Sequence, residues 1–281
     1  MSRTPDADVQ TIRAAVLRKR GGPLKLESLR MEGPREDEAL VRIVATGICH
    51  TDIRYVDNWY EDADGPLVLG HEGAGIVEKV GEKVTTIRRG DHVVLSYQSC
   101  GHCKACSSRH PADCESLADL NFGFHRPDGS NALRRSGVRG HFFGQSSFAT
   151  HVLATERNLV KVPKTLPLEI LAPLGCGMQT GAGTVMNSLK VPAGASIAVF
   201  GTGAVGLAAV MAARIAGAHP IIGVDRVPER LRLARELGAT HVIDYTTNDL
   251  ASITERYDVV LDAVGNLTIA SGRRLLADGG K

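Results

Sequence analysis

This sequence has no long apolar run. A bilayer-spanning helix needs roughly 18 consecutive apolar residues, and the longest stretch here, "AVGLAAVMAARIAGA", is broken by Arg214. The N-terminus, "MSRTPDADVQTIRAAVLRKR", has no apolar centre of the kind a secretory signal carries. An excess of one charge is also missing. The 33 Lys and Arg face 31 Asp and Glu, for a formal net charge of +2, so neither a nucleic-acid nor a membrane-surface partner is indicated. There are no internal repeats and no low-complexity segments. A cytoplasmic location is the default expectation.

Cysteine is scarce, with six in 281 residues, yet Cys100, Cys103, Cys106 and Cys114 fall within fifteen. In a reducing compartment structural disulfides are rare, and clustered thiols read as metal ligands. The spacing C-x2-C-x2-C-x7-C suits tetrahedral Zn²⁺ with every position filled, a site that braces a loop and does no chemistry. Iron–sulfur motifs also begin C-x2-C-x2-C, but they continue x3-C-P; here Glu115 follows Cys114 after a seven-residue gap. Disulfides or free thiols are the remaining reading. Cys49 in "TGICHTD" and Cys176 in "PLGCGMQTGAG" lie far apart in sequence. With His71 of "LGHEGAGIVEKVG" they would form a Cys2His set, which leaves a fourth metal position open for water or substrate. Spacing alone leaves a bland reading open too, in which each Cys is a small buried hydrophobe and the His a hydrogen-bonded structural residue.

Hydrophobic content of 43% and charged content of 23% are those of a globular chain with a real core, long enough for one large domain or two ordinary ones. The first half carries short alternating runs, "EALVRIVATGIC", "AGIVEKVG" and "GDHVVLSY", which predict a small β-rich domain. Residues 119–147, rich in Gly, Asn and Arg, predict a long loop or lobe. Near residue 175 the pattern changes to strand and helix in alternation. "ASIAVFG", "PIIGVD", "HVIDY" and "YDVVLDAVG" read as parallel strands, and "VPERLRLARELGA" as an amphipathic helix capped by Gly238. Domains of 1–178 and 179–281 follow. A full doubly wound sheet has six strands, and only about four are legible before the chain stops.

Gly201-Thr202-Gly203-Ala204-Val205-Gly206 fits G-x-G-x-x-G, follows a predicted strand and opens a predicted helix. Asp225 ends the next strand, 19 residues after Gly206. In that context Gly201 serves the tight turn, Gly203 the approach of a pyrophosphate and Gly206 the close packing of helix on strand. The helix N-terminus offers its unpaired N–H groups to the phosphates. Asp225 would accept ribose hydroxyls and repel a 2′-phosphate, which favours NAD over NADP. Arg226 works the other way, since an arginine there supports a 2′-phosphate, and Arg230 reads equally as a ribose contact or a solvated residue. An ordinary strand–helix turn is the bland alternative.

Gly70-His71-Glu72-x-x-Gly75-x5-Gly81-x2-Val84, "CHTD", the four-cysteine lobe, "GCGMQTGAG" and "GTGAVG" occur together and in order. In these the chain resembles the zinc-dependent medium-chain alcohol dehydrogenases over residues 12 to about 270. "LNFGFHRPDGS", "HFFGQSSFAT" and "PLGCGMQTGAGTVMNSLKV" are most similar to the aryl-alcohol (benzyl alcohol) members. The resemblance implies an α/β fold: a chaperonin-10-like β-rich catalytic domain, then a partial Rossmann domain lacking its last strands. It implies two zinc ions per chain, one on Cys49, His71 and Cys176, the other on the four clustered cysteines. Glu72 would lie behind the first metal, Asp52 would hydrogen-bond the far nitrogen of His71, and Thr51 would take the substrate proton. His50 would face the cofactor pyrophosphate and Thr180 the nicotinamide. The implied reaction is oxidation of a primary, aromatic alcohol to the aldehyde with hydride transfer to NAD⁺, in a homo-oligomer when full length. Arg54 stands where many members have a relay histidine, and Trp59 and Tyr97 are candidates for the aromatic side of the substrate pocket. The alternatives are a zinc-binding, NAD-affine truncated homologue without turnover, and a polyol or aliphatic alcohol dehydrogenase of the same superfamily.

Overall fold

A computed structural model describes residues 9–58, 65–134, 137–248, 255–265, 267 and 269–281. Trp59 lies outside the described residues. The chain divides into two compact units, Met1–Cys176 and Gly177–Lys281. Among the described residues no helix is long and apolar enough to cross a membrane.

The first unit is built on two antiparallel sheets. One has the order β4-β1-β2-β7, from β1 (Gln10–Leu17), β2 (Leu24–Met31), β4 (Leu67–Val68) and β7 (Leu133–Arg134). The other has the order β8-β3-β5-β6-β9, from β3 (Glu38–Thr46), β5 (Gly73–Val80), β6 (His92–Leu95), β8 (His151–Thr155) and β9 (Leu159–Val162). Alternation sets their faces. In β1, Ile12, Ala14 and Val16 are buried and pack with Leu29, Met31, Leu40 and Leu153, as a period of two requires. Ala39, Val41, Val77, Val93 and Val152 fill the second sheet's core. Three helices, α1 (His50–Asn58), α2 (Lys104–Ser107) and α3 (Leu117–Phe122), join these strands, and α4 (Leu168–Leu171) follows β9.

Residues 119–147, predicted as a loop, hold the end of α3, strand β7 paired to β2 through Arg30 with Arg134 and Met31 with Leu133, and a 3₁₀ turn at Phe142–Gly144. Arg126 orders this stretch. Only 2% of its side chain is exposed; its Nε and Nη2 donate to both oxygens of Glu38 and its Nη1 to Glu32. Composition suggested a loop because the residues that order it act through contacts distant in sequence.

The second unit is an α/β layer. Its sheet is parallel, with the order β12-β11-β10-β13, from β10 (Ile197–Phe200), β11 (Ile221–Asp225), β12 (His241–Asp244) and β13 (Val259–Asp262). Helix α5 (Gly177–Gly183) precedes it, and α6 (Ala204–Ala216), α7 (Pro228–Leu237) and α8 (Ile269–Arg274) follow β10, β11 and β13. Helices on both faces require strands apolar on both faces. Ile197 and Val199 pack with Ala209 and Ala213, while Ala198 and Phe200 pack with Leu275. Gly238 ends α7 with φ 134°, its N–H on Ala234 O and Arg235 O. The strand order is that of the first four strands of a dinucleotide-binding sheet, whose ligand crevice opens where the order reverses, here beside β10.

Candidate functional site

The first-unit cluster forms where α1 begins. Cys49 precedes the helix, and its N–H donates to Asp52 Oδ2 at 3.0 Å while the Asp52 N–H donates to Cys49 O at 3.0 Å. This reciprocal pairing caps the helix start. The other oxygen, Asp52 Oδ1, accepts the Gly70 N–H at 3.0 Å and lies 3.2 Å from His71 Nδ1. Asp52 and His71 are each 1% exposed, so the carboxylate holds the Nδ1 proton and turns Nε2 toward the thiols. The resemblance implied a histidine-orienting role for Asp52; its two oxygens serve that contact and the helix start as well.

Among the described residues His71 Nε2 is buried without a hydrogen-bond partner. Ligand atoms of Cys49, His71, Glu72 and Cys176 all lie within 4.8 Å of one another, with the two sulfurs 3.9 Å apart. A hydrogen bond from Cys176 pulls the Cys49 thiol down to about 3 and pushes Cys176 above its ordinary value. Burial opposes an imidazolium at His71, but Asp52 and Cys49 outweigh it and raise the group to about 9. Protons thus hold the positive charge that a divalent cation would supply, and an orphaned nitrogen facing two thiols is a donor set suited to zinc. Glu72 reaches the cluster because residue 47 is glycine: a Cβ there would lie 1.9 Å from Glu72 Oε2. Thr51 Oγ1 is 3.7 Å from Cys49 Sγ, and His50, the first residue of α1, is exposed.

The sulfurs of Cys100, Cys103, Cys106 and Cys114 form the second group, again within 4.8 Å of one another. Backbone N–H groups point into it: Cys100 N–H donates to Cys114 Sγ and Cys103 N–H to Cys100 Sγ, each at 3.3 Å. The N–H groups of Cys106 and Glu115 draw Cys103 down to about 6. Four sulfurs this close cannot all ionise unless a cation joins them, and the all-thiol set suits closed tetrahedral zinc. Tyr97 is half-buried, and burial pushes its hydroxyl up, with the charges of Cys106, Arg157, Asp113 and Cys114 acting beside it.

In the second unit, Gly201 closes the turn after β10 with φ 86°, a left-handed conformation that disfavours side chains. A Cβ at Gly206 would lie 1.8 Å from Gly201 O, whereas one at Gly203 would meet nothing within 4 Å. The turn is thus tight at both ends and open in the middle. Asp225 is 4% exposed and already accepts four hydrogen bonds. Oδ2 takes the Thr202 N–H at 2.7 Å and its hydroxyl at 3.2 Å; Oδ1 takes the N–H groups of Arg226 at 2.7 Å and Val227 at 3.0 Å. Burial opposes ionisation, but these donors together hold the carboxyl below its ordinary range. Sequence reading saw a free acceptor; the structure shows an acid that also closes its own turn. Arg226 and Arg230 are exposed, with Arg230 Nη1 3.9 Å from Asp225 Oδ2. Thr180 is exposed in α5, and its carbonyl accepts the Thr184 hydroxyl at 2.7 Å.

Two residues that sequence reading did not single out hold His71. Phe143 stacks on its ring at 4.4 Å and 21°, and Gln145 Nε2 donates to its carbonyl at 3.0 Å. The one signal for them was the aromatic pair in "HFFGQ", since this chain has only six Phe.

Residues 35–164 match the model of the alcohol dehydrogenase GroES-like domain and residues 204–281 that of the zinc-binding dehydrogenase. Class-3 alcohol dehydrogenase of Drosophila melanogaster is 37% identical over 273 residues, covering 93% of this chain and 72% of that protein. The chain belongs to the zinc-dependent medium-chain alcohol dehydrogenases, a family of zinc- and nicotinamide-dependent oxidoreductases. It is similar to geraniol dehydrogenase of Castellaniella defragrans, with 50% identity over 240 residues, 84% of this chain and 64% of that protein's length. Benzyl alcohol dehydrogenase of Acinetobacter calcoaceticus shares its fold with a TM-score of 0.91 and 46% identity, covering 96% of this chain and 75% of that one.

Proposed function

We propose that this protein oxidises a primary, aromatic alcohol to the aldehyde and passes the hydride to NAD⁺. The observation that carries this reading is the convergence of Cys49, His71 and Cys176 within 4.8 Å around an orphaned, buried Nε2. Cys49, His71 and Cys176 would hold a catalytic zinc, with Glu72 close by, and Cys100, Cys103, Cys106 and Cys114 would hold a structural one. Bound zinc supplies a Lewis acid that eases loss of the substrate hydroxyl proton, and bound nicotinamide supplies the hydride acceptor. Asp52 keeps the proton on His71 Nδ1. The Thr51 hydroxyl accepts the substrate proton and hands it on, its outer exit being different here because Arg54 stands where many relatives have a histidine. The turn from Gly201 through Gly203 to Gly206 would take the pyrophosphate, and Thr180 would meet the nicotinamide. Asp225 meets the adenosine ribose; its negative charge opposes a 2′-phosphate, while Arg226 and Arg230 line the same edge. The native enzyme is a cytoplasmic homo-oligomer.

The test is absorbance of the reduced nicotinamide with benzyl alcohol and either NAD⁺ or NADP⁺. NADH formation with NAD⁺ preferred is expected. Metal-loaded protein that binds NAD⁺ without turnover would identify the non-catalytic homologue, and faster oxidation of polyols or short aliphatic alcohols would overturn the aromatic assignment.

A further inference from the structure

One short segment grips His71 on the sides that Asp52 leaves free. The Phe143 ring lies face to face with the imidazole at 4.4 Å and 21°, and Phe142 meets it edge-on at 5.6 Å and 86°. Gln145 Nε2 donates to the His71 carbonyl at 3.0 Å and to Ser96 O at 3.2 Å, while Gln145 Oε1 accepts the Gly73 N–H at 3.2 Å. A single hydrogen bond to Nδ1 lets an imidazole swing about the bond axis. A ring stacked on its face, with the backbone pinned on both sides, stops that motion.

The backbone of this segment is unusual. His141, Phe143 and Ser146 have φ of 66°, 53° and 56°, left-handed values that side chains rarely adopt. Such conformations persist only where the surroundings over-determine them, and here they do. Ala132 N–H donates to His141 Nε2 at 3.3 Å, Asn158 Nδ2 donates to Phe143 O at 3.2 Å, and Ser146 Oγ donates to Val68 O at 2.7 Å. Tyr55, Phe122 and Phe124 pack behind Phe142. The left-handed turn sets two adjacent aromatic rings 4.8 Å apart at 80°, one flat on the imidazole and the other at its edge.

We propose that residues 141–146 form a clamp on the metal ligand His71, with Phe143 and Gln145 as positioning residues that slow escape of the metal from the Cys49–His71–Cys176 cluster. The inference rests on the proposed reading of that cluster as a metal centre. It is tested on full-length chain loaded with Co²⁺ at both sites, with the visible bands of the Cys2His and the all-cysteine sites followed separately as excess chelator removes the metal. In F143L the Cys2His band decays about 10-fold faster than in wild type, the lower end of what loss of a ligand-orienting partner costs in metal affinity, and the all-cysteine band decays at the wild-type rate. F143Y, which keeps the stacked ring, behaves as wild type, and Q145L also loses the Cys2His band faster. Where F143L does not fold by circular dichroism, Q145L against F143Y decides the same question. Wild-type release rates in F143L and Q145L, or F143Y as fast as F143L, would overturn the clamp, as would a lowered melting temperature with release unchanged. Wild-type protein showing only the all-cysteine band overturns the metal-centre reading itself, which separates the two failures.

Discussion

At the scale of single residues, chemistry here is set by which lone pair is left over. Asp52 spends one oxygen on the helix start and the other on His71 Nδ1, and among the described residues His71 Nε2 is left without a hydrogen-bond partner. Asp225 instead takes four hydrogen bonds from the chain and so closes its own turn. Asp225→Asn should therefore harm both stability and binding, because its amide NH₂ would face either the Arg226 and Val227 N–H groups or the Thr202 N–H. Donors to a charged group are worth about 1.5–3 kcal/mol. The second unit should lose about that much stability in urea denaturation, NAD⁺ affinity measured by fluorescence titration should drop at least about 10-fold, and discrimination against NADP⁺ should shrink.

At the scale of elements, a buried ionic pin joins three pieces of the first unit. Arg126, from the segment after α3, binds Glu38 at the start of β3 and Glu32 just after β2, and Arg134 of β7 donates to Glu32 at 2.8 Å. Breaking one side of such a pair strands a buried charge and costs about 3–5 kcal/mol, whereas apolar replacement of both partners is often near neutral. R126M should lower stability by about that amount in chemical denaturation, and R126M/E38L should recover most of it. A double variant as unstable as R126M alone would show that Arg126 acts through packing. The both-face apolar runs of β10 and β11 were readable because every residue of these strands is buried. The order within residues 119–147 was not, because Arg126 and Glu38 lie 88 positions apart.

At the scale of the whole molecule, stability should fall in mild acid through a buried base. His141 is held down to about 3, first by burial and then by the charges of Arg126, Arg35 and His125, with Glu32 acting the other way. The folded chain therefore refuses a proton that the unfolded chain accepts near the ordinary histidine value of about 6.5. The resulting stability is complete above that pH and is lost as pH falls toward the folded value, by at most about 1.4 kcal/mol per pH unit. Urea midpoints followed by circular dichroism between pH 7.5 and 4.5 should show this slope, and H141N, which tolerates the left-handed backbone, should flatten it by about one proton. Equal slopes in the two proteins would assign the acid sensitivity to carboxylates alone.

The sequence by itself determined the four-cysteine spacing, the glycine turn with its acid, and the strand–helix alternation, because each of these is local. Cys100 to Cys114 need only a short lobe to converge, and Gly201 to Asp225 need only one strand–helix–strand unit. The three-residue cluster was different: Cys49, His71 and Cys176 come from distant parts of the chain, and their spacing alone left a structural reading open until the family motifs were matched. Only the tertiary structure decided that Asp52 does two jobs, that Asp225 closes its own turn, and that Phe143 lies on the imidazole. Each of these depends on where a side chain points once remote segments have packed, and no pattern along the chain carries that information.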